Sequence, residues 1–309
     1  MIENKIVDKF QDVIKKASEI ILDKNEQISL VVTCLLAKGH LLIEDEPGVG
    51  KTTLAQTIAK LVGLSQKRIQ FTNDLLPSDI LGQSVFNRQD STFFFKKGPL
   101  FSEIVIADEL NRANPKTQSA LLQAMEEGEV STDQETIALP EIFFLMATQN
   151  PRHQIGTYPL PESQVDRFLM CLHLDYISES SEVKIFMGEN PRSKISQIEK
   201  IITHQELVTA QKIVSQIHIS AQIASYVAQL LNYTRKNQTE YHPLSTRTGL
   251  ALISAAKATA FLNSRDYVTP DDLTIVIKST LSHRLAQQEG LSFGEKQVEK
   301  LLQKNPITL

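Results

Sequence analysis

One short run constrains this chain more than any other: Pro47-Gly48-Val49-Gly50-Lys51-Thr52-Thr53. It follows an apolar stretch at residues 40–44 that reads as a strand and precedes residues 54–62, which read as a helix. Glycines in a strand-to-helix turn let backbone N–H groups approach phosphate oxygens, and the helix adds the positive end of its dipole. In that setting Lys51 reaches the β and γ phosphates, while the Thr52 hydroxyl holds Mg²⁺. One position departs from the usual loop, because Asp45 stands where a glycine normally opens it. Asp tolerates unusual backbone angles better than most non-glycine residues, so the turn is expected to survive. The candidate nucleotide-contacting set is Asp45, Glu46, Pro47, Gly48, Val49, Gly50, Lys51, Thr52 and Thr53.

A second signal is Glu103-Ile104-Val105-Ile106-Ala107-Asp108-Glu109, an apolar strand ending in two carboxylates. Strand alternation sends neighbouring side chains to opposite faces. That suits two tasks, with Asp108 near Mg²⁺ and Glu109 polarising an attacking water, as phosphoryl transfer requires. A further buried strand, 143–148, runs into Gln149-Asn150-Pro151. Ligands of open α/β sheets lie beyond the carboxyl ends of the strands, so Asn150 is placed to orient the water or touch the γ phosphate. Asn-Pro is also a turn dipeptide, and that plainer reading stays open. Residues 161–168 read as a short helix delivering Arg167 ahead of a strand, with a helix-end ion pair to Asp166 or Glu162 as the plainer alternative.

Strand-like runs at 40–44, 68–71, 104–108, 143–148 and 169–174 alternate with helical stretches. Apolar runs without polar alternation suit a parallel sheet covered on both faces. After residue 179 helical periodicity dominates, at 205–216, 221–235, 247–262 and 270–279, with Asn190-Pro191-Arg192-Ser193 marking the join. The expectation is an α/β domain over 1–176 with a five-stranded parallel sheet, followed by a small all-α domain over 177–309. Over 309 residues the chain carries 32 Lys plus Arg against 36 Asp plus Glu. The first part holds 17 basic and 24 acidic side chains, the second 15 and 12. A net −7 on the first part argues against a nucleic-acid-tracking surface, which needs clustered Lys and Arg. No apolar run approaches the roughly 18–20 residues of a membrane span. No signal peptide is visible either, so a cytoplasmic location is expected. Cys34 and Cys171 lie in apolar stretches and read as buried thiols, and the seven histidines lack ligand spacing.

The combination resembles the MoxR family of AAA+ ATPases over most of the chain. The carrying stretches begin with Gly39-His40-Leu41-Leu42-Ile43-Glu44-Asp45 and Ile69-Gln70-Phe71-Thr72-Asn73-Asp74. They continue through Ala107-Asp108-Glu109-Leu110-Asn111-Arg112, Ala147-Thr148-Gln149-Asn150-Pro151 and Asp166-Arg167-Phe168. Ser245-Thr246-Arg247 stands at the place of a lid motif usually written Ser-Pro-Arg, with Thr246 replacing the Pro.

The resemblance implies an AAA+ P-loop core with a helical lid. Lys51 and Thr52 fall in Walker A and Asp108 and Glu109 in Walker B. Asn150 matches sensor 1, Arg247 matches sensor 2 reaching its own phosphate from the lid, and Arg167 matches the arginine finger acting on a neighbour's ATP. Ile21 and Leu22 would flank the adenine. Residues 85–95 and 130–139 resemble the hairpin in helix 2 and the hairpin before sensor 1, although Phe93-Phe94-Phe95 also suits plain strand packing. The implied activity is Mg²⁺-dependent ATP hydrolysis by a homo-oligomeric ring, a hexamer, coupled to chaperone-like maturation of a client complex. The implied partner carries a von Willebrand factor A domain. A nucleic-acid motor and a chelatase-type motor subunit are the alternatives.

Overall fold

A computed structural model describes residues 2–45, 48–89, 91–132, 135–150, 156–188, 195–196, 198–286 and 289–307. Two helices come first, α1 (Ile2–Ser18) and α2 (Asn25–Leu36). Then follow β1 (Leu41–Glu44), α3 (Lys51–Leu61), β2 (Gln66–Gln70) and α4 (Pro77–Leu81). A hairpin of β3 (Gly82–Asn87) and β4 (Thr92–Lys97) precedes β5 (Ile104–Asp108). After a 3₁₀ turn at Leu110–Arg112 come α5 (Pro115–Glu127), a second hairpin of β6 (Glu129–Ser131) and β7 (Thr136–Ala138), and β8 (Phe144–Gln149). The short α6 (Glu162–Val165), β9 (Met170–Leu172) and α7 (Glu179–Phe186) close this part. The remainder is helical: α8 (His204–Gln216), α9 (Ala221–Lys236), α10 (Thr246–Leu262), α11 (Pro270–Leu285) and α12 (Leu291–Lys304).

The five expected strands form one all-parallel sheet in the order β2-β5-β8-β1-β9. Every residue of β1, β5 and β8 is buried, as strands covered on both faces require. Edge strand β2 buries Ile69 alone. Register puts Glu44 opposite Gln149 and Gln70 opposite Asp108, so the polar ends of β1, β2, β5 and β8 lie at one rim of the sheet. Both expected hairpins form, each a separate two-stranded sheet. Phe86 and Phe93 pair on the exposed face of the first with ring centroids 5.0 Å apart, while Phe95 packs edge-on against Phe101. The aromatic run therefore serves packing only in part.

Helix caps explain most of the boundaries. The Asn114 side chain accepts from Thr117 N at the start of α5, with Pro115 in the first turn, and Gly128 ends the helix at φ 70°. Ser245 caps α10 by accepting from Thr248 N, and Thr203 with Glu206 forms a capping box on α8. Two sequence expectations fall short. Helix α11 continues to Leu285 rather than ending near 279, because residues 279–285 are all buried. Helix α12 lies beyond the expected helices, its polar composition masking the single buried stripe of Leu291, Gly294, Val298 and Leu301. Its Gly294 lies against the Ser282 carbonyl of α11, where any Cβ would collide.

Residues 190–193, expected to mark a junction, lie outside the described residues. The apolar core is not divided near 176: one buried cluster runs from Ile6 on α1 through α3 to Leu301 on α12. Helices α1 and α2 carry it across. Phe10 meets Phe261 edge-on at 6.0 Å, Gln11 Nε2 donates to Leu262 O at 2.6 Å, and Gln211 Nε2 donates to Leu35 O at 2.9 Å. Cys34 and Cys171 are buried free thiols, and burial pushes both well above the usual thiol range. No helix among the described residues is long and apolar enough to cross a membrane.

Candidate nucleotide site

The polar rim of the sheet opens into a cavity of ≈ 930 Å³. Gly48 (φ 92°) and Gly50 (φ 94°) take the left-handed backbone that glycine alone adopts without strain, and α3 begins immediately after, at Lys51. Glu46 and Pro47 lie outside the described residues. Lys51 Nζ donates to the Asp45 carbonyl at 2.6 Å across the loop. Gly48, Val49, Gly50, Lys51, Thr52 and Thr53 all line the cavity, Thr53 being nearly buried beneath it. At the apolar end stand Ile20, Ile21 and Leu22 with Ile177, Ile185 and Phe186 from the α7 region.

Asp45 does a different job from the one its position suggests. The left-handed angles fall on Gly48 and Gly50, not on Asp45. Asp45 is buried, and its carboxylate accepts from Leu174 N at 2.5 Å and Asp175 N at 2.9 Å. A side-chain acceptor is needed there because the chain leaving β9 turns through Asp175 at φ 54° and exposes two backbone donors. The carboxylate thus ties the loop to the β9–α7 connection instead of supplying backbone freedom.

The two carboxylates after β5 separate as expected, though not by strand alternation alone. Asp108 is the last strand residue and is buried; Glu109 lies beyond it in left-handed conformation at φ 57°. Asp108 Oδ2 accepts from Thr52 Oγ1 at 3.4 Å and Arg68 Nε at 2.6 Å, and Oδ1 accepts from Thr148 Oγ1 at 3.2 Å. Thr148 Oγ1 in turn accepts from Glu109 N at 3.0 Å, which fixes the backbone between the two acids. Glu109 Oε1 accepts from Asn150 Nδ2 at 3.3 Å, and Oε2 accepts from Gln70 Nε2 at 2.9 Å. Arg112 approaches the same oxygen at 3.1 Å. The oxygens of Thr52 and Asp108 form a hard donor set that suits Mg²⁺, an ion that takes few protein ligands and completes its shell with phosphate and water. Among the described residues no cluster of three or more His, Cys, Asp or Glu forms a metal cage.

Arg167 and Arg247 are not among the residues lining this cavity. They meet on another face, at Glu126 near the end of α5. Arg167 Nε stands 2.9 Å from Glu126 Oε2, and Arg247 Nη2 donates to Glu126 Oε1. Arg167 therefore pairs with neither Asp166 nor Glu162. Asp166 instead takes Arg284 Nε at 2.6 Å, Ser245 Oγ at 3.2 Å and Thr248 Oγ1 at 3.4 Å. The buried Arg284 also donates to the carbonyls of Asp166, Phe168 and Leu169, at 3.0, 2.7 and 3.2 Å. Beside it His283 Nε2 donates to Phe168 O at 3.2 Å; burial first, then the Arg284 charge, hold this imidazole well below its usual range and hence neutral. A second cavity of ≈ 800 Å³ opens along α6 and the starts of α10 and holds none of the loop residues or β5 carboxylates.

Residues 40–170 match the ATPase family associated with various cellular activities, and residues 233–303 match the AAA lid domain. Chaperone MoxR1 of Mycobacterium tuberculosis is 37% identical over 87% of this chain and 74% of its own length. The chain belongs to the MoxR family of AAA+ ATPases. Protein YeaC of Bacillus subtilis is 41% identical over 94% of this chain and 90% of its own. Protein MoxR of Paracoccus denitrificans is 26% identical over 90% and 88%. A crystal structure from Cytophaga hutchinsonii, described as that of an ATPase, superposes with a TM-score of 0.86 at 36% identity, covering 99% of this chain and 97% of that one. This MoxR-family chain is thus an ATPase with an AAA+ core and helical lid.

Two residues around the site, Arg68 and Glu126, carried no readable sequence signal. Arg68 sits on an edge strand whose exposed polar residues look like ordinary surface, and Glu126 lies on a helix where one charge among many marks nothing. Gln70 falls in a stretch that carries the resemblance, but no role attached to it there.

Proposed function

We propose that this MoxR-family ATPase hydrolyses Mg²⁺-bound ATP in a ring of identical subunits and uses the cycle to remodel a partner protein complex. The observation carrying the reading is the Glu109 carboxylate, held by Asn150 and Gln70 in the cavity that the Gly48–Gly50 loop also lines. Backbone N–H groups at the start of α3, with Lys51, hold the phosphates. Thr52 and Asp108 would hold Mg²⁺, which when bound neutralises charge building on the transferred phosphoryl group. Glu109 takes the proton of the attacking water, and Asn150 keeps that carboxylate aimed. Ile21 and Leu22 pack beside the adenine.

Arg167 and Arg247 serve a neighbouring subunit's site. They stand together on a face apart from their own cavity, so their guanidiniums complete a phosphate site only when another copy docks there. This revises the expectation that Arg247 reaches its own phosphate. A hexamer is the ring we favour, acting in the cytoplasm on a complex that includes a von Willebrand factor A protein. The relative named Chaperone MoxR1 supports the remodelling role.

Complementation tests the reading. Lys51→Ala subunits keep their arginines but lose ATP; Arg167→Ala subunits keep the pocket but lose the finger. Each alone should be nearly inactive, and the mixture should recover turnover that rises with protein concentration. A mixture that co-assembles yet stays inactive counts against sites shared between subunits.

A further inference from the structure

The face around Glu126 carries more positive charge than its carboxylates neutralise. Arg167, Arg247 and Arg284 gather there, and among the described residues their carboxylate partners are Glu126 and Asp166 alone. Arg284 is satisfied: it is buried, paired with Asp166 and bonded to four carbonyls. The single charge of Glu126 is left to serve two guanidiniums. It gives one oxygen to each, Oε2 to Arg167 and Oε1 to Arg247.

An arginine bonds a carboxylate most strongly through two parallel N–H donors. Neither guanidinium receives that fork from Glu126. Arg167 meets Glu126 as an ion pair, its buried Nε 2.9 Å from Oε2 but not aligned to donate, which leaves its Nη groups without a carboxylate; Arg247 donates through Nη2. Both retain solvent access, with side chains 25% and 50% exposed. Their backbones are fixed independently, since Asp166 binds both Arg284 and the cap of α10 two residues before Arg247. Two like charges held this close repel and would splay their side chains apart. The shared carboxylate opposes that.

We propose that Glu126 is a positioning residue, holding Arg167 and Arg247 as one clamp whose remaining donors fit the terminal phosphate of a nucleotide bound to a second copy of this chain. The proposal rests on the reading of the two arginines given above. A tetrahedral phosphate offers several oxygens at once, so it accepts from both guanidiniums without displacing Glu126 from either.

Steady-state ATPase measurements on full-length Glu126→Ala and Glu126→Gln test this. Turnover should fall about tenfold at unchanged KM for ATP, because a charge-assisted contact is weakened only in the shared site. Gln should be nearly as poor as Ala: its amide accepts from one guanidinium and presents N–H groups to the other. A merely structural side chain would be rescued by Gln, which fills the same volume. Mixing supplies the direction. Glu126→Ala subunits have intact pockets, so they should recover turnover when mixed with Lys51→Ala subunits. They should not recover with Arg167→Ala subunits, since both lack a working clamp. Parental kcat in Glu126→Ala, rescue by Gln, or recovery in that second mixture overturns the proposal. If Arg167→Ala complements Lys51→Ala while Glu126→Ala turns over normally, only the role of Glu126 falls. If Arg167→Ala fails to complement, the sharing of sites falls and takes the clamp with it.

Discussion

Around Asp108 and Glu109 most bonding groups come from a strand or the segment just past it, Arg68 and Gln70 from β2, Thr148 and Asn150 at β8 and Arg112 after β5, with Thr52 from the start of α3. The face around Glu126 is assembled differently. Arg247 and Glu126 lie 121 residues apart, and Arg284 and Asp166 lie 118 apart, so the face exists only where the lid packs on the core. Parallel register delivers the first set to one rim as soon as the sheet forms. The second set depends on α10 and α11 docking correctly. One region is therefore a property of the sheet, the other of a helix–sheet interface, and substitutions should separate them.

The largest separation is expected from Glu109→Gln. Removing a general base costs about 10²- to 10⁴-fold in turnover. ATP affinity should persist, because Lys51, Thr52 and the α3 N-terminus are untouched. Equilibrium binding of a fluorescent ATP analogue beside single-turnover hydrolysis checks both halves; parental turnover would remove Glu109 from the chemistry. This variant should fail equally as a free subunit and in an assembly, and mixing it with Lys51→Ala should rescue nothing, since neither supplies a working site.

Arg284→Ala attacks the other region. It leaves the Asp166 carboxylate and the Phe168 and Leu169 carbonyls without their shared donor inside the structure. Breaking one partner of a buried ion pair costs about 3–5 kcal/mol. Thermal unfolding should show the loss directly. Below the new midpoint, nucleotide binding should remain near parental while turnover drops, because the segment carrying Arg167 has lost its anchor. A parental melting temperature would show that Arg284 does not hold the face.

The smallest effect is a pH dependence. Hydrogen bonds from Lys304, then Lys300, lower the Glu240 carboxyl from its usual 4.5 to about 2, tying α12 to the turn after α9. The folded value is depressed, so this contribution is present above pH 4.5 and is lost as pH falls towards 2. Glu240→Gln should flatten that part of the stability-versus-pH curve and leave ATP binding at neutral pH unchanged. A curve parallel to the parent's between pH 4.5 and 2 would show that these lysines do not hold Glu240.

Reading the residues in order reached the pocket further than the face. The run from Gly48 to Thr53 is contiguous, and Asp108, Glu109 and Asn150 each follow an apolar strand of recognisable length, so period and position were enough. Asp45 shows the limit of that approach. Its place beside the loop was legible, but its acceptors' partners, Leu174 N and Asp175 N, are 129 and 130 residues away. Helix α12 escaped for a related reason, since its N-terminus is held by Glu44 Oε1 accepting from Leu291 N across 247 residues.

By itself the sequence determined the chemistry available: glycines where the backbone must turn left-handed, a lysine and a threonine at a helix start, two acids closing a buried strand, and apolar runs that only a doubly covered parallel sheet accommodates. Those are local consequences of backbone freedom, hydrophobic period and charge, and they survive without knowledge of distant partners. Where Arg247 stands relative to the cavity was decided only by tertiary structure. Its motif reads the same wherever the side chain lies, and its place beside Arg167 is set by Asp166 and Arg284 fixing the start of α10. An ion pair between distant segments has no period and no spacing; it exists only once packing of the apolar core has brought the two backbones within reach.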